Sequence, residues 1–404
     1  MMQRCQRALG VCLLLVLAPA ARSQAQTPPP QPAIETMPLH FGPLGLAPSL
    51  AITDVGVDTN VFNDAENPQE DFSATFVPRL LARFRMRRLF VSYAVSTDLV
   101  YFHELETERS TNVAHDVTLD ADLGRFQPFV QAGWLSTKQR LNSELDLRAP
   151  RSQRNVGAGA RLLVASRTTF VVTARRRWLD FDEDVFFRGV ELAHTLNSRS
   201  DSGDVAVQVA LTPLTTFAFT TSVQQDRFTE SPERNADTLR LVPSLQFDPT
   251  SLIRGSVAVG YRRFRPVSPA VPDYSGVLVQ AGVGYTLRDR TRIDLDVQRD
   301  VQYSFEETEP YYLSTGGRIT VRQQIVGNVD VQVLGGRQKL SYRSTETVGE
   351  ARRDTADIIG AGVGYRLRQD VRLGLNWEFT QRHSPVSAYQ YERRRIFASL
   401  TIGS

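Results

Sequence analysis

The feature that most constrains this chain is a strict alternation of apolar residues with small or charged ones, broken by tight polar turns. It is clearest in two related strips, "AGVGYTLRDRTRIDLDVQ" (Ala281–Gln298) and "AGVGYRLRQDVRLGLNWEF" (Ala361–Phe379). In the first, Val279, Ala281, Val283, Tyr285 and Leu287 share one face, and Gln280, Gly282, Gly284 and Thr286 share the other. After the turn at Arg288–Arg290, Ile293, Leu295 and Val297 alternate with Arg292, Asp294, Asp296 and Gln298. A period of two places successive side chains on opposite faces of a strand. The same pattern recurs from about Leu46 onward, with no helical periodicity beside it.

Such a strand can turn its apolar face to a soluble core or to lipid. Loop lengths separate the two. Short polar turns fall near Arg85–Arg88, Gly124–Arg125, Ala165–Arg167, Thr212–Leu214, Asp248–Thr250, Arg288–Arg290, Val326–Gly327 and Arg368–Asp370. Between them lie longer segments such as Asn63–Asp71, Gln139–Ser152, Asp182–Thr195 and Arg343–Thr355. Strict alternation of short turns and long loops is what an up-and-down transmembrane barrel requires. The expected fold is therefore all-β, a transmembrane antiparallel β-barrel of about eighteen strands, with sixteen as the alternative count. A propeller would give a period near that of a strand quartet, but not alternating loop lengths.

The start of the chain agrees. Arg4 and Arg7 precede an apolar run from Ala8 to Ala18, and Ser23 and Ala25 have the spacing of a signal-peptidase site. The expected organisation is a signal peptide over 1–25, a Pro-rich periplasmic linker over 26–45 containing "TPPPQP", and an outer-membrane barrel over 46–404. Removing 1–25 takes Arg4, Arg7 and Arg22, leaving 44 basic residues against 44 acidic ones. That balance gives no reason to expect a nucleic-acid partner. Cys5 and Cys12 are the only cysteines, and their loss with the signal excludes a disulfide scaffold and thiolate metal sites.

Aromatics recur where strands run into long loops: Phe62, Tyr101, Trp134, Trp178, Phe228, Phe264, Tyr303, Tyr342 and Phe379. They are expected to form an interfacial girdle, with Phe90, Phe129, Phe170 and Phe217 as a weaker one at the other end. Pro48, Pro78 and Pro243 interrupt strand-like runs and are expected at bulges or strand ends.

Catalytic chemistry is sparse. None of the five histidines has a partner at metal-ligand spacing, and no nucleophile elbow or phosphate-cradling loop occurs. His115, near Asn112 and Ser110, is the best candidate for a surface hydrolase, but a histidine of the barrel wall is the plainer reading. We expect no enzyme activity, catalytic residue, cofactor or metal site. The informative polar residues are those alternation assigns to the lumen: Arg254, Arg262, Asp294, Asp296, Arg318, Arg322, Asp330, Arg372 and Glu378. A charge facing midplane lipid costs roughly 2–4 kcal/mol, so the interior is where they belong. They would line a path for small polar solutes or a polysaccharide.

"LAPSLAITDVGVDTNVFND" (Leu46–Asp64) and "DFSATFVPRLLARFRMRRLFVSYAVSTDLVYF" (Asp71–Phe102) carry a family likeness. The chain resembles the putative beta-barrel porin family of outer-membrane proteins associated with exopolysaccharide gene clusters. That resemblance implies passage or anchoring in polysaccharide export, with outer-membrane lipid around the barrel and periplasmic export machinery as partner. A general diffusion porin for small polar solutes is the rival function on the same architecture.

Overall fold

A computed structural model of the chain describes residues 34–345, 351–368 and 370–403; the expected signal segment lies outside them. Eighteen long strands make up the wall. They are β1 (Leu44–Asp58), β2 (Asp71–Met86), β3 (Leu89–Phe102), β4 (Ser110–Ala121), β5 (Phe126–Thr137) and β6 (Arg151–Ala165). Next come β7 (Thr168–Phe181), β8 (Ser198–Thr212), β9 (Thr215–Phe228), β10 (Ala236–Phe247), β11 (Ile253–Pro266) and β12 (Tyr274–Leu287). The last six are β13 (Thr291–Tyr303), β14 (Tyr311–Val326), β15 (Val329–Arg343), β16 (Arg353–Arg368), β17 (Val371–His383) and β18 (Tyr391–Ile402). Each pairs antiparallel with its successor, and β1 pairs with β18 through Leu50↔Ile402 and Asp58↔Arg395. The sheet closes on itself and has no free edge.

Closure needs special residues at the seam. Asp54, at φ 55°, sits in a bulge that shifts β1 against both neighbours. Beyond the bulge, a Cβ on Gly56 would overlap the Ile396 backbone oxygen and press on the Phe397 Cα. At the short-turn end a three-residue strand, Leu39–Phe41, folds back on the start of β1. Ile34 and Met37 are buried against Gly45, where a Cβ would come within 2.5 Å of the Met37 sulfur.

Burial is inverted relative to a water-soluble protein. Val205, Phe219, Val223, Val259, Val333, Ile359, Val363 and Leu375 share the outer face and are 42–58% exposed. Asp204, Thr220, Ser222, Gln224, Thr238, Arg240, Arg262, Thr320 and Asp330 turn inward and are buried. A continuous apolar exterior around a polar interior suits a lipid surround. Among the described residues no helix is long and apolar enough to cross a membrane; crossing falls to the strands.

Two expectations about particular residues are corrected. The aromatic set at the long-loop end divides. Tyr101 and Trp134 are exposed on the outer face, and Trp178 and Phe379 pair with outward positions beside them. Phe228, Phe264 and Tyr342 are instead buried, and Tyr303 meets Phe228 and Phe264 edge-on beneath the loops. At the short-turn end Phe90 and Phe129 lie under the arginines Arg85 and Arg161, while Phe170 and Phe217 pair with exposed outer residues. Pro48, Pro78 and Pro243 lie within strands and mark no bulge. At Pro78 and Pro243 the ladder on one side omits the local pair and resumes in the same register, so the missing N–H is absorbed without a shift.

Candidate permeation path

The AGVGY strips recur because their glycines form a floor. Gly284 on β12 lies between β11 and β13, and a Cβ there would stand 2.8 Å from Asp294 Oδ1 and 2.9 Å from Arg254 Nε. Four strands on, Gly364 of β16 underlies the corresponding site with the charges exchanged. Arg372 of β17 reaches across it to Asp330 of β15, Nη2 to Oδ1 at 2.6 Å and Nε to Oδ2 at 3.0 Å. The absent side chain lets a two-pronged ion pair lie flat over the intervening strand.

The fold gathers the nine charged positions singled out by alternation unevenly. Asp330, Arg372 and Arg322 form one group, with Arg322 Nε 3.7 Å from Asp330 Oδ1 and Nη2 donating to Gln332 Oε1 at 2.6 Å. Asp296 stands directly opposite Arg318. Arg254 and Asp294 share the Gly284 floor. Arg262 stands apart in a buried pair with Asp300. Glu378 lies 3.7 Å from Arg395, whose other carboxylate partners are Asp54 and Asp58. Between the Arg262 pair and β9 lies Arg240, buried, with a buried Nε that has no hydrogen-bond partner among the described residues.

What alternation could not reveal is the crossing of the mouth. The segment 138–150, between β5 and β6, reaches the far wall formed by β15 to β17. Arg382 of β17, 1% exposed, receives it: Nη1 donates to Asp146 Oδ2 at 2.7 Å and to the Ser143 carbonyl at 3.0 Å, while Nη2 donates to Asp354 Oδ2 at 2.8 Å. Asn63 Nδ2 donates to the other Asp146 oxygen at 2.9 Å, and Arg140 donates to the Val61 carbonyl. Glu144, at the turning point, accepts a hydrogen bond from Ser304 Oγ at 2.6 Å. Burial pushes the Glu144 carboxyl up to about 8, against the lowering pull of Ser304, Arg352 and Arg382.

Apolar packing seals this bridge. Leu145 and Ala149 are buried with Leu192 and Leu196 of a short helix (Leu192–Leu196), Phe305 and Tyr389. The Tyr389 ring carries Arg352 at 3.9 Å and Arg188 at 4.1 Å, and its hydroxyl donates to Glu306. Five loops thus converge on one partly dry cluster across the opening.

His115 is parted from the neighbours that made it a candidate. It stacks between Tyr93 and Trp134 on the outer face, with Nδ1 2.8 Å from the Tyr93 hydroxyl. Asn112 is buried and accepts a hydrogen bond from Thr137 Oγ1 at 3.0 Å. Alternation separates residues 112 and 115 onto opposite faces. Among the described residues no group of three or more His, Cys, Asp or Glu could hold a metal ion.

A closed barrel with an apolar outside, a charged inside and a loop across its mouth defines an outer-membrane porin. The chain belongs to the family described as Putative beta-barrel porin 2, whose model matches residues 31–403. It is similar in fold to OccK2 (OpdF) of Pseudomonas aeruginosa, solved in complex with glucuronate, at 10% identity and a TM-score of 0.51 over 89% of this chain and 98% of that one. It is likewise similar to OccK9 (OpdG) of the same organism, at 12% identity and a TM-score of 0.50 over 89% and 98%. No curated protein matches the chain.

Proposed function

We propose that this porin is a diffusion channel for small polar solutes, narrowed by segment 138–150. The observation that carries this reading is the tie from that segment to Arg382, Asp354 and Ser304 on the opposite wall. A solute passing the mouth meets this bridge and then the inner charges Arg254, Arg262, Asp294, Asp296, Arg318, Arg322, Asp330, Arg372 and Glu378. Mixed-sign walls offer polar and ionic solutes replacement partners for lost water.

Delivery belongs to the same proposal: residues 1–25 as a signal peptide that is removed, 26–45 as the linker that follows, and the barrel inserted in the envelope of a Gram-negative cell. Polysaccharide export would require the bridge to leave the lumen and a periplasmic partner to move the polymer; no contact among the described residues favours it.

Liposome swelling with neutral sugars and uronic acids of graded size tests the reading. Entry of monosaccharides and uronates, with exclusion of long oligosaccharides, is expected. Free entry of polymers, or no entry of any solute into liposomes containing folded protein, would contradict it.

A further inference from the structure

The outer face at the long-loop end carries a feature that permeation does not use. Directly paired residues of β4 to β9 run His115, Trp134, Arg154, Trp178, Arg199, Arg227 around the wall. The Trp178 ring is flanked by two guanidinium groups, Arg154 at 5.7 Å and Arg176 at 5.9 Å. Side chains of Arg154, Arg176 and Arg199 are 56%, 47% and 48% exposed. Just below them the outer wall is Val156, Val172, Val205 and Val207, all exposed and apolar. The arginines therefore stand where acyl chains give way to headgroups.

Their pairing leaves donors over. Arg176 and Arg199 both contact one carboxylate, Asp201, and each does so through Nε. Arg154 holds Asp180 through one Nη2 contact at 2.9 Å. Three guanidinium groups thus face two carboxylates, and the Nη pairs of Arg176 and Arg199 remain for an external anion. On β2 and β3 the corresponding surface is Phe72, Phe76, Leu99 and Tyr101, with a single guanidinium, Arg109, over the Tyr101 ring and paired with Glu106. Guanidinium forks match phosphate oxygens two by two, and ring stacking fixes their orientation beforehand.

We infer that Arg154, Arg176 and Arg199, arranged around Trp178, form a lipid-side binding site for the phosphate of a phosphorylated glucosamine glycolipid of the outer leaflet. Long loops mark the extracellular side of such barrels, so the site lies in the leaflet where lipid A resides. Asp201, directly opposite Arg176 and two residues from Arg199, acts as the organiser that both arginines contact.

Native mass spectrometry of the purified protein in detergent, with added diphosphorylated lipid A, dephosphorylated lipid A or phosphatidylglycerol, tests this. The diphosphorylated lipid should be retained about tenfold more than either of the others. The R154A/R176A/R199A variant, with its barrel verified by heat-modifiable migration, should bind all three alike. If that variant does not fold, R199A alone, which leaves both guanidinium groups that flank the ring in place, should lower the preference roughly threefold. Equal retention of phosphatidylglycerol, no dependence on phosphorylation, or an unchanged preference in the folded variants would overturn the assignment.

Discussion

Two arginines on the same strand, Arg372 and Arg382 of β17, show how differently one residue type is used in the wall and at the mouth. Arg372 lies beside lumen space over a glycine floor, and its partner Asp330 also has Arg322 nearby. Arg382 is enclosed and holds a bridge whose other end is on the opposite side of the barrel. The wall pair is local and spans a single intervening strand. The mouth pair is long-range and surrounded by Leu145, Tyr389 and their neighbours. A charge in the first setting adjusts the path; in the second it positions a loop.

The most disruptive test removes the frame on which both depend. Gly56→Ala introduces a Cβ against the Ile396 carbonyl at the seam, and is expected to abolish the heat-resistant barrel band. Next comes Arg382→Ala, which removes the charged partner of Asp146, leaves Asp354 with Arg352 alone, and cuts the tie between the segment and β16. It should cost roughly 3–5 kcal/mol of loop docking and raise single-channel conductance. Arg372→Ala should cost only about 1–2 kcal/mol, because Asp330 keeps Arg322, and should alter ion preference more than conductance. Equal losses for the two variants, read from unfolding midpoints, would erase the contrast.

Acid–base behaviour sharpens it further. The docked Glu144 carboxyl is raised to about 8 from an ordinary 4.5, so the bridge favours the protonated form. Its contribution is fully present below 4.5 and is lost as pH rises through about 8. Conductance should therefore increase on the alkaline side of that value, and Glu144→Gln should remove the dependence. The smallest effect is expected from Gly364→Ala, which crowds only the flexible ends of Arg372 and Asp330. The barrel should stay intact, with a shift in cation-to-anion permeability measured by reversal potential.

The wall was legible in the sequence because its determinants are local. Alternation assigned inner and outer faces, and turn lengths gave the up-and-down order. The bridge was not. Arg382 and Asp146 are 236 positions apart, and neither lies in a motif. The signal available was limited to the length of 139–152 and its apolar residues Leu141, Leu145 and Leu147, unusual for a loop in water. Aromatic position along a strand also proved insufficient, since Tyr342 and Phe379 occupy similar levels while one packs inward and the other faces out. Parity of the residue number on its strand carries that information, and level does not.

The central claim is that a loop tied to the opposite wall sets the width of the path. Single-channel recording of the wild type and Arg382→Ala, with neutral polymers of graded size as blockers, tests it most directly. The account predicts a narrow, stable channel in the wild type and a larger conductance with a larger polymer cut-off in the variant. An identical cut-off in the two folded proteins would contradict it.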